Sequence, residues 1–177
     1  SVDIIVPVYN GYQFLDTLLK TIELTEIKYR LILINDKSPD ERVGKLLEEY
    51  AANKDNVILI NNEENLGFLK TVNKGFKIAE NHIALVNTDV ELPNKWLERL
   101  MLPIFKDGKV ASSTPYTNCG TLCSFPNMGQ DNELFMEYNV QEIDNEFSKI
   151  LPHYEALPTG VGFCMGMNKN VLEEIGM

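Results

Sequence analysis

The sequence predicts an α/β protein: a mostly parallel sheet flanked by helices. Three observations carry this. Short apolar runs alternate with segments whose apolar residues recur at helical spacing. The strand-length runs are apolar throughout rather than alternating, as in a sheet covered on both faces. Three of those runs end in polar clusters, Tyr9-Asn10, Asn35-Asp36-Lys37-Ser38 and Asn87-Thr88-Asp89. In open α/β sheets, ligands bind beyond the carboxyl ends of the strands.

Val2 to Val8 reads as a buried strand with Asp3 near its start, and Leu15, Leu18, Leu19 and Ile22 follow at helical spacing. Leu31 to Ile34 is the second strand. Ser38-Pro39-Asp40 then signals a helix start, and Val43, Leu46, Leu47 and Tyr50 mark that helix. Val57 to Ile60 is the third strand, with a helix after Gly67 through Leu69, Val72, Phe76 and Ala79. Ile83 to Val86 is the fourth, and a helix starting at Pro93 carries Leu97, Leu100, Met101 and Ile104. Val110 begins a fifth strand. The rhythm then breaks. Tyr116 to Asp131 reads as a long loop, of a length that is usually functional or mobile. Glu133 to Leu151 is expected to be helical, Gly160 to Met167 a strand, and Asn170 to Gly176 a helix. The pattern stops at Met177 directly after that helix, so the expectation is one piece of a longer protein.

The chain has 177 residues, which suits one domain with a substantial core. Its 44% hydrophobic and 24% charged residues are ordinary for a globular protein. A net charge of −10 argues against a nucleic-acid partner and sets a condition: binding a diphosphate would need a cation or a local positive patch. No run approaches the roughly 18 apolar residues of a spanning helix. Val2 to Val8 is short, contains Asp3 and lacks a basic flank, unlike a signal peptide. The expected location is the cytoplasm, with membrane association left to parts outside this chain. Cys119, Cys123 and Cys164 form no disulfide framework, and two histidines make a zinc site a poor fit.

Asp36 and Asp89 each follow an apolar strand. Mg²⁺ and Mn²⁺ favour carboxylate oxygen and often bind through one or two carboxylates plus substrate phosphates. Either Asp could instead cap the following helix. For Asp36 the two readings stand equal. For Asp89 function is favoured, because Glu91 and Pro93 already supply a helix start. Tyr9 could stack on a base; taken alone, packing is the simpler role, and Asn10-Gly11 is a turn signal. Asn65-Leu66-Gly67-Phe68 opens a helix whose N-terminus favours anions, with Lys70 and Lys74 at i and i+4; alone it reads as a capped helix with a basic face. Neither phosphate-loop nor dinucleotide glycine pattern occurs. His153 is not chosen as catalytic.

Together these segments resemble glycosyltransferase family 2, the inverting sugar transferases of the GT-A fold, over nearly the whole chain. Ile4-Ile5-Val6-Pro7-Val8-Tyr9-Asn10 is similar to the family's opening strand, and Leu33-Ile34-Asn35-Asp36-Lys37-Ser38-Pro39-Asp40 to its second motif. Asn65-Leu66-Gly67-Phe68 with Asn73-Lys74-Gly75 resembles the third, and Asn87-Thr88-Asp89 with Trp96-Leu97 the metal-binding Asp-x-Asp segment. Gly162-Phe163-Cys164-Met165 and Val171 to Gly176 are like the strand and helix before its catalytic region.

The resemblance implies a Rossmann-like GT-A sheet truncated at its C-terminus. Residues 1–115 would be nucleotide-binding βα units and 116–177 the start of an acceptor-side region, within one domain. Pro7, Tyr9, Asn10 and Asp36 would line the nucleoside pocket, with Asp36 bonding to the base. Asn65, Gly67, Lys70, Asn87 and Thr88 would lie close to the nucleotide, and Asp89 would bind Mn²⁺ or Mg²⁺ bridging the diphosphate. The first acid of Asp-x-Asp is Asn87 here, so Asp89 would hold the metal alone. The family's general base follows the region matching Ile175-Gly176 and is expected beyond Met177; no catalytic base is assigned. The implied reaction moves a sugar from a nucleotide-diphospho-sugar, UDP favoured over dTDP and GDP, to a hydroxyl on a glycan or lipid-linked acceptor, in cell-surface glycan synthesis. Two rivals remain: a nucleotide-sugar-binding module without transfer, and a nucleotidyltransferase. The last would want glycines with Arg and Lys after the first strand, where Tyr9-Asn10-Gly11-Tyr12 stands.

Overall fold

A computed structural model describes residues 1–120, 122–133, 137–150 and 153–176. The chain runs β1 (Val2–Val8), α1 (Tyr12–Ile22), β2 (Tyr29–Asn35), α2 (Glu41–Ala51), β3 (Val57–Asn61), α3 (Phe68–Ile78), β4 (His82–Val86), α4 (Trp96–Lys106), β5 (Ser112–Ser113), α5 (Val140–Phe147), β6 (Cys164–Met167) and α6 (Lys169–Ile175). One six-stranded sheet has the order β3-β2-β1-β4-β6-β5. β1 lies inside it, parallel to β2 and β4, and β2 is parallel to β3. All four parallel strands therefore end on the same edge, which brings their polar termini together.

Strand side chains alternate between faces, so the apolar runs feed two cores. Val2, Ile4, Val6 and Val8 of β1 and Leu31 and Leu33 of β2 face α1, α2 and α4 through Leu15, Leu18, Val43, Leu47, Leu97 and Met101. Ile5, Ile32, Ile34, Ile83 and Leu85 face α3 and α6 through Val72, Phe76 and Leu172. α3 lies tight on the sheet at Gly75, where a Cβ would come within 2.7 Å of Ile5 Cγ2.

Several boundaries differ from the sequence reading. α4 starts at Trp96, not Pro93: Lys95 takes a left-handed conformation (φ 56°) and no side chain caps the helix. That bend turns Trp96 and Leu97 into the core, and Leu92 is buried on the approach. β5 is two residues, Ser112–Ser113, because the chain from Asp107 to Val110 closes a turn first. Helix α5 is shorter than the expected Glu133 to Leu151; an Asn139–Glu142 capping box starts it at Val140, while residues 134–136 and 151 lie outside the described residues. β6 covers Cys164–Met167 of the expected Gly160 to Met167 and runs antiparallel to β4 and β5. The loop from Tyr116 to Asp131 carries its own hydrogen bonds, Thr117 N–H to Cys123 O at 3.0 Å and Phe125 N–H to Thr117 O at 2.9 Å. All three cysteines are free thiols. Among the described residues no helix is long and apolar enough to cross a membrane.

Candidate functional site

At the end of β1 the chain turns through Asn10 (φ 58°) and Gly11 (φ 73°) into α1. The Asn10 N–H donates to Ser38 Oγ at 3.0 Å, and Ser38 N–H donates to Asn35 Oδ1 at 3.0 Å. The β1 and β2 termini are thus tied into one edge. α2 is capped by Asp40, whose carboxylate accepts from Arg42 N–H at 3.0 Å. Asp36 is left for something else.

That role is visible in its partners. Asp36 is 3% exposed. Its Oδ1 accepts from Asn62 Nδ2 and from Leu66 N–H, and its Oδ2 from Gly67 N–H, each at 2.8 Å. Burial alone would raise its pKa. The Leu66 N–H, the Asn62 amide, the Thr71 hydroxyl and the Gly67 N–H together outweigh burial and hold the carboxyl below its usual range. Asn62 is itself buried, and its Oδ1 accepts from Lys74 Nζ at 2.7 Å. Asp36 therefore pulls the segment before α3 against the end of β2. Gly67, at φ 79°, gives that segment its bend, and Asn65 Oδ1 also accepts from its N–H at 2.9 Å.

This arrangement leaves a cleft of about 220 Å³ lined by Pro7, Val8, Tyr9, Asp36, Asn65, Gly67, Phe68 and Thr71. Five residues singled out from sequence meet here: Pro7, Tyr9, Asp36, Asn65 and Gly67. Phe68 and Thr71 were missed. A half-exposed aromatic just after the glycine was the available signal for Phe68; Thr71 gives none in sequence. Lys70 and Asn10 do not line the cleft, and Lys70 lies exposed on α3.

The β4 terminus forms a second part of the edge. Thr88 meets the β1–α1 turn, since a Cβ on Gly11 would lie 3.4 Å from Thr88 Oγ1. Asn87 donates its N–H to Phe163 O at 2.9 Å, while its Oδ1 is buried without a hydrogen-bond partner. Asp89 is exposed and makes no ion pair among the described residues. Its neighbourhood includes the long loop. Cys119 Sγ donates to Asp131 Oδ1 at 2.9 Å, and the Asp131 and Asp89 charges both push that thiol up, Asp131 more strongly.

An open sheet with a nucleoside-sized cleft and a free carboxylate at its carboxyl edge defines the class: a GT-A type fold. The mannosyltransferase PcManGT from Pyrobaculum calidifontis, solved with GDP-Man and Mn²⁺, matches 99% of this chain and 46% of its own at TM-score 0.67 and 16% identity. S. aureus TarS 1-349 with UDP-GlcNAc matches 99% of this chain and 47% of its own at TM-score 0.63 and 18% identity. The particular family is equally plain: the chain belongs to glycosyl transferase family 2, whose model matches residues 3–176. It is 33% identical over 107 residues to an undecaprenyl-phosphate 4-deoxy-4-formamido-L-arabinose transferase of Proteus mirabilis, covering 57% of this chain and 32% of that one. It is 27% identical over 117 residues to an uncharacterized glycosyltransferase of Haemophilus influenzae, covering 65% of this chain and 36% of that one. The chain thus spans about half the length of these solved relatives and about a third of the curated ones.

The family implies a divalent cation, and the donor set can be tested for it. No group of three or more His, Cys, Asp or Glu side chains converges among the described residues. Asp89 offers a single accessible carboxylate, with the unpartnered Asn87 Oδ1 two residues before it. Mg²⁺ and Mn²⁺ suit such a set, since they take their remaining oxygens from phosphate and water. Zinc, which wants several N or S ligands, does not fit.

Proposed function

We propose that this chain is the nucleotide-binding part of a metal-dependent inverting glycosyltransferase. The observation that carries this is the cleft: an aromatic after β1, a buried ionised carboxylate after β2 and the N-terminus of α3 meet there, on the sheet edge at which β4 also ends ahead of Asp89. The base enters between Tyr9 and Phe68. Asp36 keeps the loop in place and accepts an N–H of the base, the Thr71 hydroxyl rotating away to make room. That floor is acceptor-only, so it suits the N–H edge of uracil, thymine or guanine. UDP is our first choice of donor nucleotide, with GDP and dTDP next.

Asn87 and Thr88, between β4 and Asp89, would flank the nucleotide on the ribose and diphosphate side. Asp89 would hold Mn²⁺ or Mg²⁺, and such a cation would supply charge neutralisation for the diphosphate leaving group. The acceptor hydroxyl, on a cell-surface glycan or a lipid-linked acceptor, attacks the anomeric carbon from the face opposite the diphosphate; the new C–O bond forms as the anomeric C–O bond to the diphosphate breaks, the nucleoside diphosphate leaves and the configuration inverts. The hydroxyl proton passes to a carboxylate base that we assign to no residue of this chain. Asp131 is engaged by Cys119 and Asp144 by Arg99, which favours a second reading in which this chain binds the donor without transferring it.

Calorimetry with UDP, with and without Mn²⁺, tests the proposal on the wild type and Asp89→Ala. Metal-dependent binding that disappears in the variant is expected. A folded wild type that binds none of UDP, GDP and dTDP with metal present would sink it.

A further inference from the structure

Asp36 is held from behind by a chain of contacts that ends in an exposed lysine. Lys74 Nζ lies 2.7 Å from Asn62 Oδ1, and Asn62 Nδ2 lies 2.8 Å from Asp36 Oδ1 and 3.3 Å from Thr71 Oγ1. The Asn62 backbone is fixed as well, its N–H donating to Asn35 O at 2.9 Å. A primary amide can present either its oxygen or its NH₂ to a neighbour. A lysine ammonium can only donate and a carboxylate can only accept. Between the two, the amide has one favourable orientation: oxygen toward Lys74, NH₂ toward Asp36. The two Asp36 oxygens then stay directed at the Leu66 and Gly67 N–H groups, and Gly67 lines the cleft beside Phe68.

We infer that Lys74 and Asn62 are positioning residues for nucleotide binding: Lys74 orients the Asn62 amide, and Asn62 keeps Asp36 aimed at the cleft and at the N–H groups of Leu66 and Gly67. The inference rests on the nucleotide reading above. It assigns a part to Lys74 rather than to Lys70, its neighbour one turn back on α3. Without the lysine, the Asn62 oxygen loses that donor and the amide is held from its Asp36 and Thr71 side. A less firmly held amide donates less well to the carboxylate, whose ionised form is then less favoured.

Apart from Asp3, Tyr29, Arg30 and Lys77 at the far ends of β1, β2 and α3, the elements that meet at Asp36 carry few charged or titratable groups. Tyr9 stands on the β1 end, Lys37 follows Asp36, Glu63 and Glu64 precede Gly67, and Lys70 and Lys74 lie on α3. Of these, Lys74 reaches Asp36 through a buried hydrogen-bonded side chain.

The test is the affinity for whichever of UDP, GDP or dTDP binds the wild type, with Mn²⁺, measured from pH 7 down to the acid limit of folding. Lys74→Met keeps the aliphatic stem and is expected to weaken binding roughly tenfold at neutral pH, the scale of one hydrogen bond to a charged group. Its binding should also fail at a higher pH on acidification than that of the wild type, because a weaker Asn62 donor lets the Asp36 carboxyl rise toward its ordinary range. A purely structural lysine would leave that limb where it is. Lys74→Met with wild-type affinity and an unmoved acid limb overturns the inference and leaves the nucleotide reading standing. A folded wild type that binds none of the nucleotides overturns both. Should Lys74→Met melt well below the wild type, Lys74→Gln decides: a shifted acid limb supports the inference, and an unshifted one ends it.

Discussion

Tyr9 and Phe68 are 50% and 54% exposed, more than large aromatics usually are, and both border the cleft that holds the buried Asp36 carboxylate. Stacking a base on such a ring contributes about 1–3 kcal/mol. Tyr9→Ala and Phe68→Ala should therefore each weaken nucleotide binding by about that amount in a calorimetric titration. Because neither ring is buried, urea unfolding should move by less than about 0.5 kcal/mol; a large loss of stability would show that the rings pack rather than bind. Tyr9 taken alone read as a packing residue; the family resemblance is what pointed to its place at the cleft. Phe68 was readable in principle as an aromatic beside Gly67. Asn62 was not, since an asparagine in Asn61-Asn62-Glu63-Glu64-Asn65 looks like any loop residue until the chain folds back onto Asp36. The sequence left Asp36 open between capping and binding. Geometry gives the α2 cap to Asp40 and shows Asp36 gripping the segment ahead of α3.

At the scale of elements, α3 matters most to the cleft, because it carries Phe68, Thr71 and Lys74 and begins at the bent Gly67. Its distance from the sheet is set by Gly75. A Cβ there would lie 2.7 Å from Ile5 Cγ2 and 3.1 Å from Ile34 Cδ1, both in the packed core. Gly75→Ala gains about 1 kcal/mol of helix propensity but overpacks the core by about 1–3 kcal/mol. The net expectation is a loss of about 1 kcal/mol in urea unfolding, with nucleotide affinity falling as the helix shifts outward. An unchanged or raised stability would mean α3 relaxes freely. The first eight elements were legible because each buries a regular apolar stripe or run. The α4 start was not. Pro93 signals a helix in sequence, yet burial of Leu92 and Trp96 fixes both flanks, and the chain bends at Lys95 to satisfy them. α5 was overread because none of its residues is buried, so its length is set by the Asn139 capping box rather than by an apolar stripe.

For the molecule as a whole, the edge opposite the cleft holds a buried acid that ties three segments together. Asp3 accepts from Arg30 Nε and Nη2 at 2.8 Å each, from Glu80 N–H at 2.6 Å and from Asn81 N–H and Nδ2 at 3.0 Å. Burial would raise its pKa, but these donors, Arg30 foremost, lower it to about 2 from an ordinary 3.8. A depressed carboxylate contributes stability that is fully present above its unfolded pKa and disappears as pH falls through the folded value. Asp3 should thus contribute about 2 kcal/mol above about pH 4, lost toward pH 2. Urea unfolding between pH 5 and pH 2 should show that slope, and Asp3→Asn should be less stable at pH 7 with a shallower slope; an equal slope would shift the cause to other acids. Asp3 was visible in the sequence as an oddity at the start of an apolar strand, without any hint of its partner. Sequence alone determined the alternation of strands and helices, the parallel half of the sheet and the family, because these depend on local periodicity and on short motifs in a fixed order. Tertiary structure decided the rest. That β6 runs antiparallel beside β4, that Asp36 is clamped by Asn62, Leu66 and Gly67, and that Asn87 keeps a buried oxygen without a partner all depend on which distant segments meet. Such meetings are set by long-range packing, and no periodicity along the chain encodes them.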